Sequence, residues 1–174
     1  MREFATIINI PKERIAVLIG PRGSTKKRLE KEAGVKISVD SKTGEVEITR
    51  SSDAEDQLKA IRAEDVVRAI ARGFSPQKAF KALLPEYYLE IIDLTEHVSD
   101  RSLDRVRSRL IGRGGKSRSF VSRMTGAEMV IYGKTVSILG DAENVDLAKQ
   151  AVMKIIHGLP HSAVFRFLER KKFN

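Results

Sequence analysis

One 18-residue passage occurs twice in this chain, and that repetition limits the fold to two copies of one unit. Residues 17–34 run Val17-Leu18-Ile19-Gly20-Pro21-Arg22-Gly23, then a basic stretch of helical spacing, then Gly34. Residues 109–126 run Arg109-Leu110-Ile111-Gly112-Arg113-Gly114-Gly115, then a second basic stretch, then Gly126. Gly20 pairs with Gly112, Gly23 with Gly115 and Gly34 with Gly126, always 92 positions apart. Self-similarity of this kind marks a duplicated supersecondary unit. The chain has 174 residues, room for two units of roughly 80 each.

The flanking residues give the order of elements. Phe4, Thr6, Ile8 and Ile10 alternate as a short strand that Pro11 ends. Ile15, Leu18 and Ile19 predict a helix running into Gly20. Ser24 and Thr25 are placed to cap a second helix, Lys26 to about Ala33. Val35, Ile37 and Val39, then Val46 and Ile48, predict a hairpin around a turn at residues 41–44. Ser52 with Glu55 has capping-box spacing. The helix behind it is expected to run to Arg72 on a stripe of Leu58, Ile61, Val66, Ala69 and Ile70. The second copy repeats the pattern. A strand runs from Tyr88 to Leu94, and helices cover residues 102–111 and 116–125. A hairpin carries Met129 and Ile131, then Val136 and Ile138, and a helix capped by Asp141 ends near His157. The expected class is α+β, β-α-α-β-β-α twice, each three-stranded antiparallel sheet covered by helices on one face. Residues 1–74 form the first domain, and residues 75–86 a linker with a short helix begun at Ser75-Pro76. Residues 87–174 form the second domain, with a C-terminal helical extension on Val164, Phe165 and Leu168.

Charge narrows the partner. Thirty-two basic residues against 23 acidic ones leave +9, with a pI near 9.9. That balance favours a polyanion, nucleic acid before membrane surface. There is no cysteine, which removes disulfides and thiolate chemistry. No apolar run approaches the ~20 residues that span a bilayer. The expectation is a cytoplasmic monomer with no membrane contact.

Two nucleotide-binding motifs fail on spacing. Gly115-Lys116-Ser117 looks like the end of a P-loop, but the position five before Gly115 is Leu110 rather than glycine. A dinucleotide fingerprint needs glycine three after Gly114, where Ser117 stands. Both loops also follow predicted helices, not strands. A Gly-x-x-Gly between an apolar helix end and a basic helix start instead resembles the loop of a KH domain, which clamps about four nucleotides of single strand. Glycine lets the sugar-phosphate chain approach the backbone, and the next helix presents its positive end. Trp is absent and aromatics make up only 6% of the chain, which disfavours modules that stack bases on rings.

The chain resembles tandem KH proteins of the type I order. More closely it is similar to the archaeal and eukaryotic group that assembles the small ribosomal subunit, the partner-of-Nob and Krr-like proteins. The residues that carry this are Ile70-Ala71-Arg72-Gly73-Phe74-Ser75-Pro76, residues 87–94, Arg113-Gly114-Gly115-Lys116, residues 132–136 and residues 159–169. The resemblance implies a non-catalytic factor that binds single-stranded RNA, the 3′ region of small-subunit rRNA, and meets processing proteins there. Carried onto this sequence, the RNA-binding residues of the second domain are Arg109, Ile111, Gly112, Arg113, Gly114, Gly115, Lys116, Ser117, Arg118, Met129 and Ile131. Those of the first are Gly20, Pro21, Arg22, Gly23, Ser24, Lys26, Lys27 and Ile37. No catalytic residue, metal, cofactor or small-molecule substrate is expected. The alternative is a protein-interaction scaffold in which only the second domain touches RNA.

The two loops differ in charge. Residues 105–123 hold seven basic residues and no acidic one. Residues 12–36 hold eight basic residues against Glu13, Glu30 and Glu32. Pro21 also has no N–H to offer a phosphate. The second loop is therefore expected to be the stronger grip. His157 and His161 are four apart, but Gly158 and Pro160 between them break the helix that a metal pair requires.

Overall fold

Two units, residues 1–85 and 86–174, divide the chain in the computed structural model, which describes residues 2–174. The first opens with β1 (Glu3–Asn9), α1 (Lys12–Ile19) and α2 (Ser24–Ala33). The hairpin β2 (Val35–Val39) and β3 (Glu45–Ser51) follows, then α3 (Gln57–Ala71) and the one-turn α4 (Pro76–Ala79). β3 lies in the middle of an antiparallel sheet ordered β1-β3-β2. Ile8 stands opposite Val46, and Ile37 opposite Ile48. Alternation turns Ile8, Val35, Ile37, Val46 and Ile48 into the core, and Ile7, Lys36 and Glu47 outward. Asp40 shapes the β2–β3 turn. Its carboxylate accepts the amides of Lys42 at 2.9 Å and Thr43 at 3.3 Å, and these bonds hold its pKa below the ordinary value.

The second unit has β4 (Tyr87–Asp93), α5 (Asp100–Ile111), α6 (Lys116–Thr125), β5 (Glu128–Tyr132), β6 (Thr135–Asp141), α7 (Ala142–Ile156) and α8 (His161–Phe173). Its sheet order is β4-β6-β5, the same as in the first unit. Ile92, Val106, Leu110, Val121, Met129, Val136, Ile138 and Val152 meet in one core, which α8 closes with Val164 and Leu168. No helix among the described residues is long and apolar enough to cross a membrane.

The offset between the copies shrinks along the chain. It is 92 at the loops and 85 at the helices after the hairpins, since α3 spans Gln57–Ala71 and α7 spans Ala142–Ile156. The shorter second hairpin takes up two residues. The other five are residues 52–56, which join β3 to α3 and have no counterpart between β6 and α7. That insertion corrects the capping box. α3 starts at Gln57 and its cap is Asp56, which accepts the Lys59 amide at 2.9 Å. Asp141, 85 positions on, accepts the Asn144 amide at the same distance. The expected apolar stripe also shifts. Leu58 and Ile61 are exposed, and the buried face is Ala60, Ala63, Val66, Val67 and Ile70.

An arginine from the loop-bearing helix pair ties down the end of the helix that follows the hairpin in each unit, α3 or α7. Arg14 donates to the carbonyls of Ile70 and Phe74, both at 2.8 Å. Arg109 donates to the carbonyls of Ile155, at 2.7 Å, and Leu159. The accepting carbonyls match at the 85-residue offset. The arginines do not match at the loop offset of 92, so the two copies reach one clamp from different helix positions.

Candidate nucleic-acid interface

Both Gly-x-x-Gly segments close as single 3-10 turns between two helices. The amide of Gly23 donates to the Gly20 carbonyl and that of Gly115 to the Gly112 carbonyl, each at 3.1 Å. The next amides, Ser24 and Lys116, donate to the carbonyls of Pro21 and Arg113. Backbone angles agree within a few degrees between the copies: φ/ψ is 73/172 at Gly20 and 74/170 at Gly112. The residue before each helix, Gly23 or Gly115, is left-handed and takes the cap position. This corrects the caps expected at Ser24 and Thr25, because Ser24 is already the first helical residue.

The first glycine is locked by packing. A Cβ on Gly112 would stand 2.7 Å from both the amide nitrogen and the Cβ of Ser117. On Gly20 it would stand 2.3 Å from Thr25 Oγ1 and 2.8 Å from the Thr25 nitrogen. Thr25 and Ser117 are themselves 92 apart, so a small hydroxyl residue seated on the first glycine belongs to the duplicated unit. The middle of the loop is open. A Cβ at Gly114 would meet nothing within 4 Å.

Electrostatics separate the copies. On α2, Lys26 pairs with Glu30 at 3.5 Å and Arg28 with Glu32 at 2.7 Å. On the second loop and α6, Arg113, Lys116 and Arg118 have no carboxylate partner among the described residues. Arg113 and Lys116 are exposed. Position 113 carries an amide where Pro21 has none. A helix N-terminus, two outward cations and an accessible backbone suit a phosphodiester chain. Among the described residues, no group of three or more His, Asp or Glu side chains is placed to hold a metal ion.

Comparison with known proteins fixes the family. The model of the eukaryotic type KH-domain (KH-domain type I) matches residues 88–173, and that of the KH domain matches residues 5–65. A KH domain-containing protein of Methanocaldococcus jannaschii is 44% identical over 167 residues, 95% of this chain and 73% of that protein. The chain belongs to the KH-domain family. The likeness extends to three dimensions. A chain in the crystal structure of the a/eIF2alpha–aDim2p–rRNA complex from Pyrococcus horikoshii superposes with a TM-score of 0.92 at 48% identity, over 98% of this chain and 94% of that one. The pre-rRNA-processing protein pno1 of Emericella nidulans is 26% identical over 140 residues, 78% of this chain and 54% of that protein. The chain therefore spans about half the length of that fungal relative.

Within this KH frame the predicted residues divide. Pro21, Arg22, Ser24 and Lys27, with Arg113, Gly114 and Lys116, are exposed, and Lys26, Ile111, Arg118 and Ile131 are half-buried around them. Gly20, Gly23, Gly112 and Gly115 form the turns. Four expected contacts are corrected. Ile37 is 4% and Met129 2% exposed, so both belong to the cores. Ser117 is buried beneath Gly112. The Arg109 guanidinium is engaged on the carbonyls of Ile155 in α7 and Leu159 beyond its end. Sequence reasoning took Thr25 for a helix cap and missed its seat on Gly20, although the 92-residue offset to Ser117 makes it legible.

Arg22 carries the strain of the first KH loop. At φ 55 it is the one left-handed non-glycine among the described residues, in the place that Gly114 takes at φ 62. An L-residue there costs about 1–2 kcal/mol. Arg22→Gly removes that strain but frees the unfolded chain. It is expected to leave stability unchanged or raised by up to about 1 kcal/mol, read by thermal unfolding, while RNA affinity falls. A variant that loses more than about 1 kcal/mol contradicts the strain argument.

Proposed function

We propose that this chain is a single-stranded RNA-binding protein of small-subunit ribosome assembly, holding the 3′ region of small-subunit rRNA. The observation that carries the reading is the second loop, an exposed Gly112–Gly115 turn opening α6, with Arg113 and Lys116 outward and unpaired. The archaeal neighbour's complex with rRNA and the fungal relative's name in pre-rRNA processing support the RNA and its pathway. The neighbour's presence beside a/eIF2alpha supports a protein partner as well. The relatives are RNA-binding KH proteins, and the chain acts by binding, without turnover, as a monomer in the cytoplasm. The proposed domains are residues 1–74 and 87–174, with residues 75–86 between them.

The second loop is the principal grip. Ion pairing within α2 and the missing amide at Pro21 favour a first domain that holds RNA weakly or serves a protein contact. The test is binding to one sequence as single strand and as duplex across a salt series. Single strand is expected to bind more tightly. Log affinity should fall with log salt by about 0.7 for each phosphate contact. Equal affinity for the duplex, or a constant that ignores salt, rules the clamp out.

A further inference from the structure

Helix α8 is anchored on one side and unoccupied on the other. Val164 and Leu168 are fully buried. The Phe165 ring lies 4.1 Å from that of Phe120 on α6, and the His161 ring stacks on Phe165 at 5.8 Å. His161 Nε2 is 2.8 Å from the carbonyl oxygen of Arg109 on α5, whose own guanidinium holds the turn from α7 into α8. The helix is thus fixed to the two helices that carry the Gly112–Gly115 loop.

Its outer face has no internal use. Arg166, Arg170 and Phe173 fall at spacings of four and three, one stripe of a helix, which the exposed Glu169 shares. All three are exposed, Phe173 to 80%. Neither Arg166 nor Arg170 has an ion-pair partner among the described residues. Lys172 adds charge at the same end, while the Lys171 ammonium lies over the Phe167 ring at 6.0 Å. An exposed aromatic ring on the same face as cations is what single-stranded nucleic acid uses, phosphates on the charges and a base on the ring. A membrane-surface helix would instead leave a broad apolar face free, and the apolar face of α8 is already inside the core.

Taking the chain as a single-strand RNA binder, we infer that the outer face of α8 is a second RNA-contacting surface. Arg166 and Arg170 meet backbone phosphates there, and Phe173 stacks a base of the strand beyond the loop. The loop accommodates about four nucleotides, and α8 offers a further ~20 Å of length.

The experiment uses the full chain and two RNAs. One is a twelve-nucleotide strand copied from the 3′ end of small-subunit rRNA, and the other the six-nucleotide piece of it that the wild type binds most tightly. Arg166→Glu with Arg170→Glu should weaken the long strand about tenfold, lower its salt slope by about 1.4, for two contacts, and leave the short strand unchanged. Phe173→Ala should weaken the long strand about tenfold by loss of stacking and leave its salt slope alone. Arg166→Gln with Arg170→Gln should follow the glutamate pair in weaker form, and circular dichroism reports whether each variant is folded. Equal losses on both strands, or no loss on the long one, overturn the proposal. So does loss of binding to phosphatidylserine vesicles with the long strand still held. A wild type that binds neither strand sinks the RNA reading itself and this surface with it.

Discussion

Arg113→Asp combined with Gly114→Asp is expected to lower RNA affinity at least tenfold while the second domain stays folded. Both positions are exposed, and a side chain added at Gly114 meets nothing within 4 Å. Gly114 is left-handed, and aspartate is among the few L-residues that adopt that conformation routinely. The fold therefore has little reason to notice the change. The ligand does, because one cation is lost and two anions appear where phosphate must sit. A single charge-assisted contact is worth about 1.5–3 kcal/mol, and about 1.4 kcal/mol is already a factor of ten. The matching change in the first domain, Pro21→Asp with Arg22→Asp, should cost less, because that loop starts without the amide and beside a helix whose cations are partly paired. Fluorescence anisotropy against one RNA measures both. A larger loss in the first domain reverses the ranking of the two loops.

The duplication made the fold legible, because two imperfect copies constrain each other. Gly20 and Gly112 could be read as one position, and their backbone angles are nearly identical. Single-copy reasoning failed where residue type alone had to decide. Leu58 and Ile61 look like a core stripe, yet they share a helix face with Asp65, Arg68 and Arg72. The small residues Ala60 and Ala63, which attract little notice in an apolar count, are the ones that are fully buried. Ile37 and Met129 show the same limit within strands. Alternation says that they face the helices, but it does not distinguish the rim of a binding surface from the floor of a core. Arg109 was counted as a free cation because no sequence pattern reports a carbonyl 46 positions away.

The two glycines of the second loop should separate packing from binding. Gly112→Ala places a methyl group 2.7 Å from the Ser117 nitrogen and Cβ, at φ 74 and ψ 170, an extended positive-φ conformation that L-residues scarcely adopt. Backbone nitrogen at the start of α6 has no rotamer to yield, so the first turn of the helix must move or the loop must open. Strain of about 1–3 kcal/mol in this nearly glycine-only region adds to an overpacking cost of about 1–3 kcal/mol, a total near 4 kcal/mol. Gly114→Ala meets open space at φ 62 and bears the strain alone, about 1 kcal/mol. Hydrogen exchange followed along the chain is the suitable measure, because it reads the second unit apart from the first. Gly112→Ala should lose protection through α5 and α6 and weaken RNA binding together with it. Gly114→Ala should keep protection near that of the wild type. If the two variants prove equally stable, Ser117 does not lock the loop, and the first glycine is there for RNA to approach rather than for the helices to close.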